Sequence, residues 1–303
     1  MSADLRVAAA EYLGQRRARG YKLREEGPLL TGFVESLCSR GVERITIADA
    51  LAFVQDGAEV SRATHAWRLG VIRTFAGWLR VTDPTAAEAI PPGLIRGGYQ
   101  RVTPYLYSAA QVAELMAAAR NLEEPFLADA MYVLIGLLSV TGLRSGEAFG
   151  LCVEDFDSSG LVLSVRGKLD RRRLVPVHPS TAEELRAYCG SRASGPLLVG
   201  RTGQRLAPTT AFSAFRRLTT ICELAPQRGA GSPRLHSFRH TLAVDSLVDA
   251  HRRGLDVDAR IAVLSTFLGH KDPINTYWYL TASPELMTAV SDRIAAALTR
   301  RSQ

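Results

Sequence analysis

The sequence predicts a mainly α-helical protein of two domains, with a small β-sheet in the second domain. Apolar residues recur at helical spacing through residues 5–90, where little resembles a strand. A stretch rich in proline and glycine, "IPPGLIRGGYQRVTP", then interrupts this periodicity. Beyond it, one hairpin pattern stands among segments that are again mostly helical. We therefore expect a helical domain over residues 1–95, a linker over 96–104 and a mixed α/β domain over 105–303.

Composition and charge restrict the class of protein. The chain has 303 residues, 47% hydrophobic and 22% charged, which is ordinary for a globular protein with a sizeable core. No apolar run approaches the about 20 residues that cross a bilayer, and the N-terminus lacks the apolar core of a signal peptide. We expect a cytoplasmic protein with no membrane partner. Its net charge of +7 favours a polyanionic partner, nucleic acid first.

Neither a metal nor another cofactor is expected. The four cysteines are scattered without close pairing, which argues against structural disulfides and against a zinc site of the CxxC type. The sequence also offers no convincing cluster of acidic residues that would hold a metal.

The helices of the first domain have recognisable ends. Thr46 is a plausible N-cap for "IADALAFVQDG", which ends at Gly57, and Asp83-Pro84 stops the long segment that follows. That long segment shows two opposite faces. One face carries Trp67, Val71, Phe75 and Trp78, and the other carries Arg62, Arg73 and Arg80. A solvated polar face is the ordinary interpretation, but the arginines lack compensating acids, which favours contact with DNA phosphates.

The second domain begins near Ser108, a candidate helix cap. A helix that is apolar nearly all round, "PFLADAMYVLIGLLSV", then leads into the turn "TGLRSGE". Residues Leu161 to His178 read as a hairpin with the charged tip "RGKLDRR". After Pro284 the chain reads as a helix with one apolar stripe, formed by Leu286, Val290, Ile294 and Leu298.

Several polar residues of this domain are ordinary when taken singly. Arg144 in "TGLRSGE" could form a surface ion pair, and Lys168 could simply solvate the hairpin tip. His236 and Arg239 in "HSFRH" share a helical face, as surface pairs often do. His270 in "LGH" could cap a helix. Their order and spacing, completed by Tyr279 nine residues after His270, form a composite pattern that chance rarely produces.

With this pattern the sequence strongly resembles the tyrosine recombinase (phage integrase) family, over about the last two-thirds of the chain. "RLVPVHPST", "RHTLAVDSLV" and "NTYWYLTASPEL" are similar to the transposon-borne branch. The resemblance implies a helical core-binding (SAM-like) domain and a catalytic domain that form a clamp around DNA. It also implies a site-specific recombinase that acts through a 3′-phosphotyrosyl intermediate and a Holliday junction. The enzyme would work as a tetramer on paired sites, in which other recombinases could take the place of some protomers.

The resemblance also implies roles for individual residues. Arg144 and Arg239 bind the non-bridging oxygens of one phosphate, and Lys168 protonates the leaving 5′ oxygen. His236 assists proton transfer, His270 donates to the phosphate, and Tyr279 attacks phosphorus. The residue types suit this chemistry, because planar, permanently charged guanidinium groups can clamp a phosphate and stabilise its developing charge without a metal. Ser237 and Phe238 depart from the usual middle of HxxR, and Glu147 and Asp155 are expected to support the arginine turn.

Tyr277 and Tyr279 lie close together in the sequence, and only one of them can be the nucleophile. On a helix, residues two apart point about 200° away from each other, so Tyr277 and Tyr279 cannot both face one phosphate. The family spacing selects Tyr279 as the nucleophile and leaves Tyr277 and Trp278 as packing residues.

Two alternative functions stay open at this point. The protein could be a type IB topoisomerase-like enzyme, or it could be a non-catalytic DNA-binding accessory protein.

Overall fold

The computed structural model describes residues 4–56, 60–97, 103–167, 172–226, 231–270, 272, 274–282 and 286–288. The chain divides into two compact units, residues 1–101 and 102–303. Helices account for most of both units, and a small antiparallel sheet lies in the second. The protein is therefore mainly α-helical with a small β-sheet, as its sequence predicts. No helix within the described ranges is both long enough and apolar enough to span a membrane.

The first unit is a helical domain with its own apolar core. Its helices are α1 (Leu5–Ala18), α2 (Glu26–Ser39), α3 (Ile47–Gln55) and α4 (Arg62–Thr82). Thr46 caps α3 as predicted, since its hydroxyl accepts a hydrogen bond from the amide of Asp49 at 3.1 Å. Each helix contributes residues to the core because its apolar positions recur at a helical period.

The apolar face of α4 differs from the predicted one. Its buried residues are Leu69, Ile72, Phe75, Ala76 and Leu79. Trp67 is 40% exposed, and it lines the same hollow as Arg73. The predicted aromatic stripe thus lies at the edge of the buried face, which it shares only through Phe75. Large rings drew the prediction away from the smaller aliphatic residues that form the centre of that face. Arg62, Arg73 and Arg80 still lie within about 20° of one another around the axis.

The second unit is built around one long buried helix. The helices before the sheet are α5 (Ala109–Arg120), α6 (Pro125–Thr141) and α7 (Ser145–Gly150), and those after it are α8 (Pro179–Cys189), α9 (Pro208–Ile221), α10 (Ser237–Arg252), α11 (Val257–Leu268) and α12 (Ile274–Tyr277). Helix α6 packs against α5, α8, α9 and α10, which explains why its sequence is apolar nearly all round. Ser108 begins α5 in a reciprocal capping box with Gln111, as predicted.

The predicted hairpin is confirmed and gains a third strand. Strand β2 (Val162–Arg166) pairs antiparallel with β3 (Arg172–Pro176), and the two-residue β1 (Phe156–Asp157) pairs with the other edge of β2. Val165 lies opposite Arg173 in the register. Because side chains alternate along a strand, Arg173 shares the face of the buried Val175, whereas Leu174 is 70% exposed. The tip, residues 168–171, lies outside the described residues.

Candidate active site

The turn after α6 places Arg144 beside a buried carboxylate. Gly142 ends α6 in the left-handed conformation, with φ 58°, and two residues later Arg144 occupies the N-cap of α7. The Arg144 amide donates to Glu147 Oε2, and its guanidinium donates to Glu147 Oε1, both at 2.9 Å. Glu147 therefore supports the arginine turn as predicted. About a third of the Arg144 side chain stays exposed, so this arginine remains accessible to a ligand.

A second arginine, which is not among the predicted site residues, shares the same carboxylate. Arg173 on β3 donates to Glu147 Oε1 at 3.0 Å and to Oε2 at 2.8 Å. These hydrogen bonds and the Arg173 charge outweigh burial and lower the pKa of Glu147 to about 2. Glu147 is thus ionised at neutral pH. Asp155, the other predicted support, accepts from the amide of Cys152 at 2.9 Å.

Arg239 is buried in the first turn of α10. It is 2% exposed, and it donates to the carbonyl oxygens of Gly142 and Leu268, each at 2.8 Å. Burial first, and then the charge of Arg144, lower its pKa to about 10, which still leaves it protonated at neutral pH. Two backbone carbonyls thus fix a buried cation at the junction of the "TGLR" and "LGH" turns.

Two histidines lie on the same turn of α10. His236 is its N-cap residue, and the perpendicular ring of His240 lies 4.8 Å away between centroids. Burial, and then the charge of Arg239, lower the pKa of His236, whereas burial, and then the charges of His236 and Arg239, lower the pKa of His240 to about 4. His240 also contacts Trp278 and Tyr279, at 5.3 and 5.6 Å between ring centroids, and its buried Nδ1 has no hydrogen-bond partner among the described residues.

His270 follows a glycine turn and is held by a threonine. Gly269 ends α11 with φ 67°, and His270 Nδ1 lies 2.7 Å from the hydroxyl of Thr276, a fully buried residue. The His270 ring stacks on Tyr279 at 6.2 Å between centroids and 21° between planes. Burial, and then the charges of Arg239 and Arg144, lower the His270 pKa to about 4. The imidazole is therefore neutral near pH 7.

Tyr279 lies inside the cluster and Tyr277 outside it. Helix α12 ends at Tyr277, and a 3-10 turn, Trp278–Ala282, carries Tyr279. Tyr279 is 3% exposed, whereas Tyr277 is 46% exposed. The expectation that Tyr277 packs is wrong, because Thr276 and Tyr279 are buried and Trp278 and Leu280 pack against the same cluster, whereas the side chain of Tyr277 faces outward. Burial raises the Tyr279 pKa, and the charge and hydrogen bonding of Arg239 oppose that rise.

The structure brings together five of the six predicted catalytic residues. Electrostatic coupling and ring contacts connect Arg144, His236, Arg239, His270 and Tyr279. Lys168 lies outside the described residues. Arg173, His240 and Thr276 also belong to the cluster, and His240 had a sequence signal in its place one helical turn after His236. Within the described part of the chain, no group of three or more His, Cys, Asp or Glu side chains could hold a metal ion.

The fold and the cluster define an enzyme site built on a tyrosine among arginines and histidines, and comparisons with known proteins agree. The profile of the phage integrase family matches residues 106–285. The protein y4rB of Sinorhizobium fredii, named as an integrase/recombinase, is 36% identical over 303 residues, covering 95% of this chain and 96% of the relative. Tyrosine recombinase XerC of Mycobacterium tuberculosis is 29% identical over 252 residues, covering 78% of each chain.

Solved structures show the same fold. XerH recombinase bound to palindromic difH substrate, in a post-cleavage complex, superposes with a TM-score of 0.66 at 17% identity, covering 88% of this chain and 78% of that one. Tn1549 transposon integrase with transposon right-end DNA gives a TM-score of 0.64 at 15% identity, covering 95% and 99%. The chain belongs to the phage integrase family. It is a tyrosine recombinase, a DNA strand transferase, and DNA is its partner.

Proposed function

We propose that this tyrosine recombinase joins specific DNA sites of a mobile element in the cytoplasm, with Tyr279 as its nucleophile. Tyr279 attacks a DNA phosphorus, its oxygen forms the 3′-phosphotyrosyl bond, and the bond to the 5′ oxygen breaks. Lys168 supplies the proton that the leaving 5′ oxygen takes up. Attack by a 5′ hydroxyl of the partner strand reverses these steps and releases the tyrosine. The observation that carries the proposal is the burial of Tyr279 beside Arg239, with His270 stacked on its ring.

The arginines support phosphate binding in this proposal. A phenol is a weak nucleophile, so the site must favour its phenolate and must stabilise charge on the non-bridging oxygens. Two backbone carbonyl oxygens hold the guanidinium of Arg239 in place. The guanidinium of Arg144 uses only NH1 to bind Glu147, so its other N–H groups can donate to a phosphate. Two preoriented guanidinium groups bind a phosphate with little reorganisation, because neighbouring protein groups already fix their planes.

The histidines fit proton-handling roles because both are neutral at physiological pH. His236, with its pKa lowered by burial, can accept a proton from the attacking phenol. When Thr276 donates its hydroxyl to Nδ1 of His270, the Nε2 atom of that ring carries the proton. His270 can then donate from Nε2 to a phosphate oxygen, which is the role that the resemblance implies.

At the scale of the assembly, the proposal is a tetramer on two paired sites, with each protomer clamping DNA between a core-binding domain (1–95) and a catalytic domain (105–303). Partner recombinases are an optional part of this assembly. Membership of the phage integrase family, with relatives named as an integrase/recombinase and a tyrosine recombinase, supports the recombination itself, and the tetramer is what the family resemblance implies.

Covalent capture tests the chemistry. DNA flanking the coding gene would be prepared as nicked duplexes, which lose the short strand after cleavage and so trap the intermediate. In buffer containing EDTA, we expect a protein–DNA adduct, with mass spectrometry locating the nucleotide on the peptide that contains Tyr279. Adducts on another residue, or cleavage that needs added magnesium, would contradict the mechanism. Paired intact sites should then give recombined products, whereas relaxation alone would indicate a topoisomerase.

A further inference from the structure

Arg173 connects two parts of the site that lie far apart in the chain. Its NH1 and NH2 groups bind Glu147, and its Nε donates to the carbonyl oxygen of Phe267 at 3.1 Å. The side chain is only 15% exposed. One planar group thus holds the carboxylate that orients Arg144 and, on its other side, the end of α11.

The same guanidinium packs over the turn that leads to His270. A Cβ atom added to Gly269 would lie 3.1 to 3.2 Å from Cδ, NH1 and Cζ of Arg173, closer than most side chains tolerate. Gly269 therefore meets two demands, a left-handed backbone and close contact with Arg173. The next residue, His270, has its amide bonded to the carbonyl oxygen of Ser265 at 3.0 Å. The turn that carries His270 therefore packs directly against Arg173.

The contacts suit a support better than a ligand for DNA. Both oxygens of Glu147 accept from Arg173, whereas the Arg144 guanidinium takes only Oε1. Arg144 is also the more exposed of the two arginines, with 35% of its side chain accessible against 15%. A lysine could not replace Arg173, because an ammonium group lacks the planar fork that reaches a carboxylate and a carbonyl together.

We propose that Arg173 is a positioning residue that fixes Arg144 and His270 relative to each other for strand cleavage, without itself binding the phosphate. The proposal rests on the proposed function for its catalytic consequence. Its structural part, a bridge from β3 to α7 and to the α11 turn, stands on the hydrogen bonds alone.

The first experiment measures the bridge in the DNA-free full-length protein. Arg173→Lys should speed amide hydrogen exchange in the turn at residues 268–270 by at least about tenfold, while exchange in α5 stays unchanged. Arg172→Lys is the matched control, because Arg172 is exposed on the other face of the same strand. Unchanged exchange in the Arg173 variant would refute the bridge.

The second experiment measures cleavage and binding separately. At saturating protein, Arg173→Lys should cleave a nicked duplex about 10- to 100-fold more slowly, since small misplacements of catalytic groups cost this much. The Kd for the duplex and its salt dependence should not change. Combined with Arg144→Lys, the variant should lose far less than the product of the two single effects, because both act through Arg144.

Other outcomes would overturn the proposal in distinct ways. A salt slope reduced by about one phosphate contact would make Arg173 a DNA ligand. Normal cleavage with accelerated exchange would make it a structural residue only, and fully multiplicative losses would remove the coupling to Arg144. If the wild-type protein forms no covalent adduct, the proposed function fails, and hydrogen exchange still decides the bridge.

Discussion

At the scale of the residue, the nucleophile is the first assignment to test. Tyr279→Phe should abolish covalent attachment to DNA and leave duplex affinity nearly unchanged, because the substitution deletes one hydroxyl and preserves a 3%-exposed ring. Tyr277→Phe is the matched control and should retain attachment. Gel analysis of denatured adducts, together with binding assays on intact duplex, measures both properties. The reverse pattern, with Tyr277 essential and Tyr279 dispensable, would contradict the assignment.

Arg144 is the second residue to test. Arg144→Lys should lower the rate of cleavage by about 100-fold or more. An ammonium group lacks the planar fork with which a guanidinium can bind a phosphate oxygen and Glu147 at the same time. Single-turnover cleavage of a nicked duplex measures the rate. Arg172→Lys, an equally conservative change at an exposed position, should cleave normally. Cleavage by Arg144→Lys within a few-fold of wild type would remove Arg144 from the site.

The buried histidines predict a pH dependence of stability. The pKa values of His240 and His270 fall from 6.5 to about 4 on folding, so the unfolded chain binds more protons between these values. The free energy of unfolding should therefore be highest above pH 6.5 and should decrease as the pH falls toward 4. Glu147 acts in the same direction, but only below pH 4.5, the ordinary pKa of a glutamate carboxyl.

Urea denaturation of the DNA-free protein between pH 7 and pH 5 measures this effect in the range where the histidines dominate. His240→Phe removes one titrating group from the apolar contact with Trp278 and should flatten the profile. His178, an exposed helix cap, provides the control position. A profile that is equally steep with and without His240 would show that this ring does not become protonated on unfolding in the predicted range.

Individual residues also show how far sequence reasoning reaches. The order of Arg144, His236, Arg239, His270 and Tyr279 could be read from the sequence because the family pattern repeats residue types at recognisable spacing. Arg173 was missed because it lies among other arginines near the hairpin tip, where a solvated cation is the ordinary interpretation. The strand alternation did contain a signal, since Arg173 has the same parity as Val175 and Val177, both of which are buried.

At the scale of the element, the segment after Tyr279 has two parts. Leu286 is 1% exposed and belongs to the apolar cluster that contains Tyr279 and Leu264, so this residue packs on its own unit. Val290, Ile294 and Leu298, the rest of the predicted stripe, lie outside the described residues. We predict that this later part docks on a neighbouring protomer.

Two truncations separate these parts. A chain that ends at Thr288 should fold and bind DNA but should not form higher-order complexes on paired sites, as sedimentation would reveal. A chain that ends at Ser283 also loses Leu286, and Leu286→Ala alone should lower the free energy of unfolding by about 2–5 kcal/mol. If the Thr288 truncation assembles as well as the full chain, the terminal segment has no role between protomers.

Element boundaries were predictable wherever a local signal determines them. Thr46 and Ser108 cap helices because their hydroxyls satisfy free backbone amides, which is a property of a few adjacent residues. The face of α4 was less predictable, because several helices around it decide which side is buried. The third strand, β1, is two residues long, too short to produce a periodic pattern in the sequence.

At the scale of the whole molecule, net charge and the first unit suggest how DNA is held. Replacing Arg62, Arg73 and Arg80 together by Gln should weaken binding to all duplexes and reduce the slope of log K against log salt by up to about three phosphate contacts. Arg6→Gln is the control, because Arg6 already binds Glu35 at the surface of the same unit. Fluorescence anisotropy over a range of salt concentrations gives the slopes. If the triple variant and the wild-type protein give the same slope, the three arginines form an ordinary solvated surface and do not contact DNA phosphates.

The sharing of Glu147 by two arginines also determines the charge balance of the site. Among its described side chains, three arginines and one carboxylate leave two formal positive charges, since the pKa values of the histidines keep those rings neutral. A phosphodiester brings one negative charge, and attack by a phenolate raises this to two on the pentacoordinate phosphorus. The described side chains alone therefore carry more positive charge than an intact phosphodiester neutralises, and this excess favours the more negative transition state over the bound substrate. Replacing Glu147 with a neutral residue would change this excess even if every arginine kept its position.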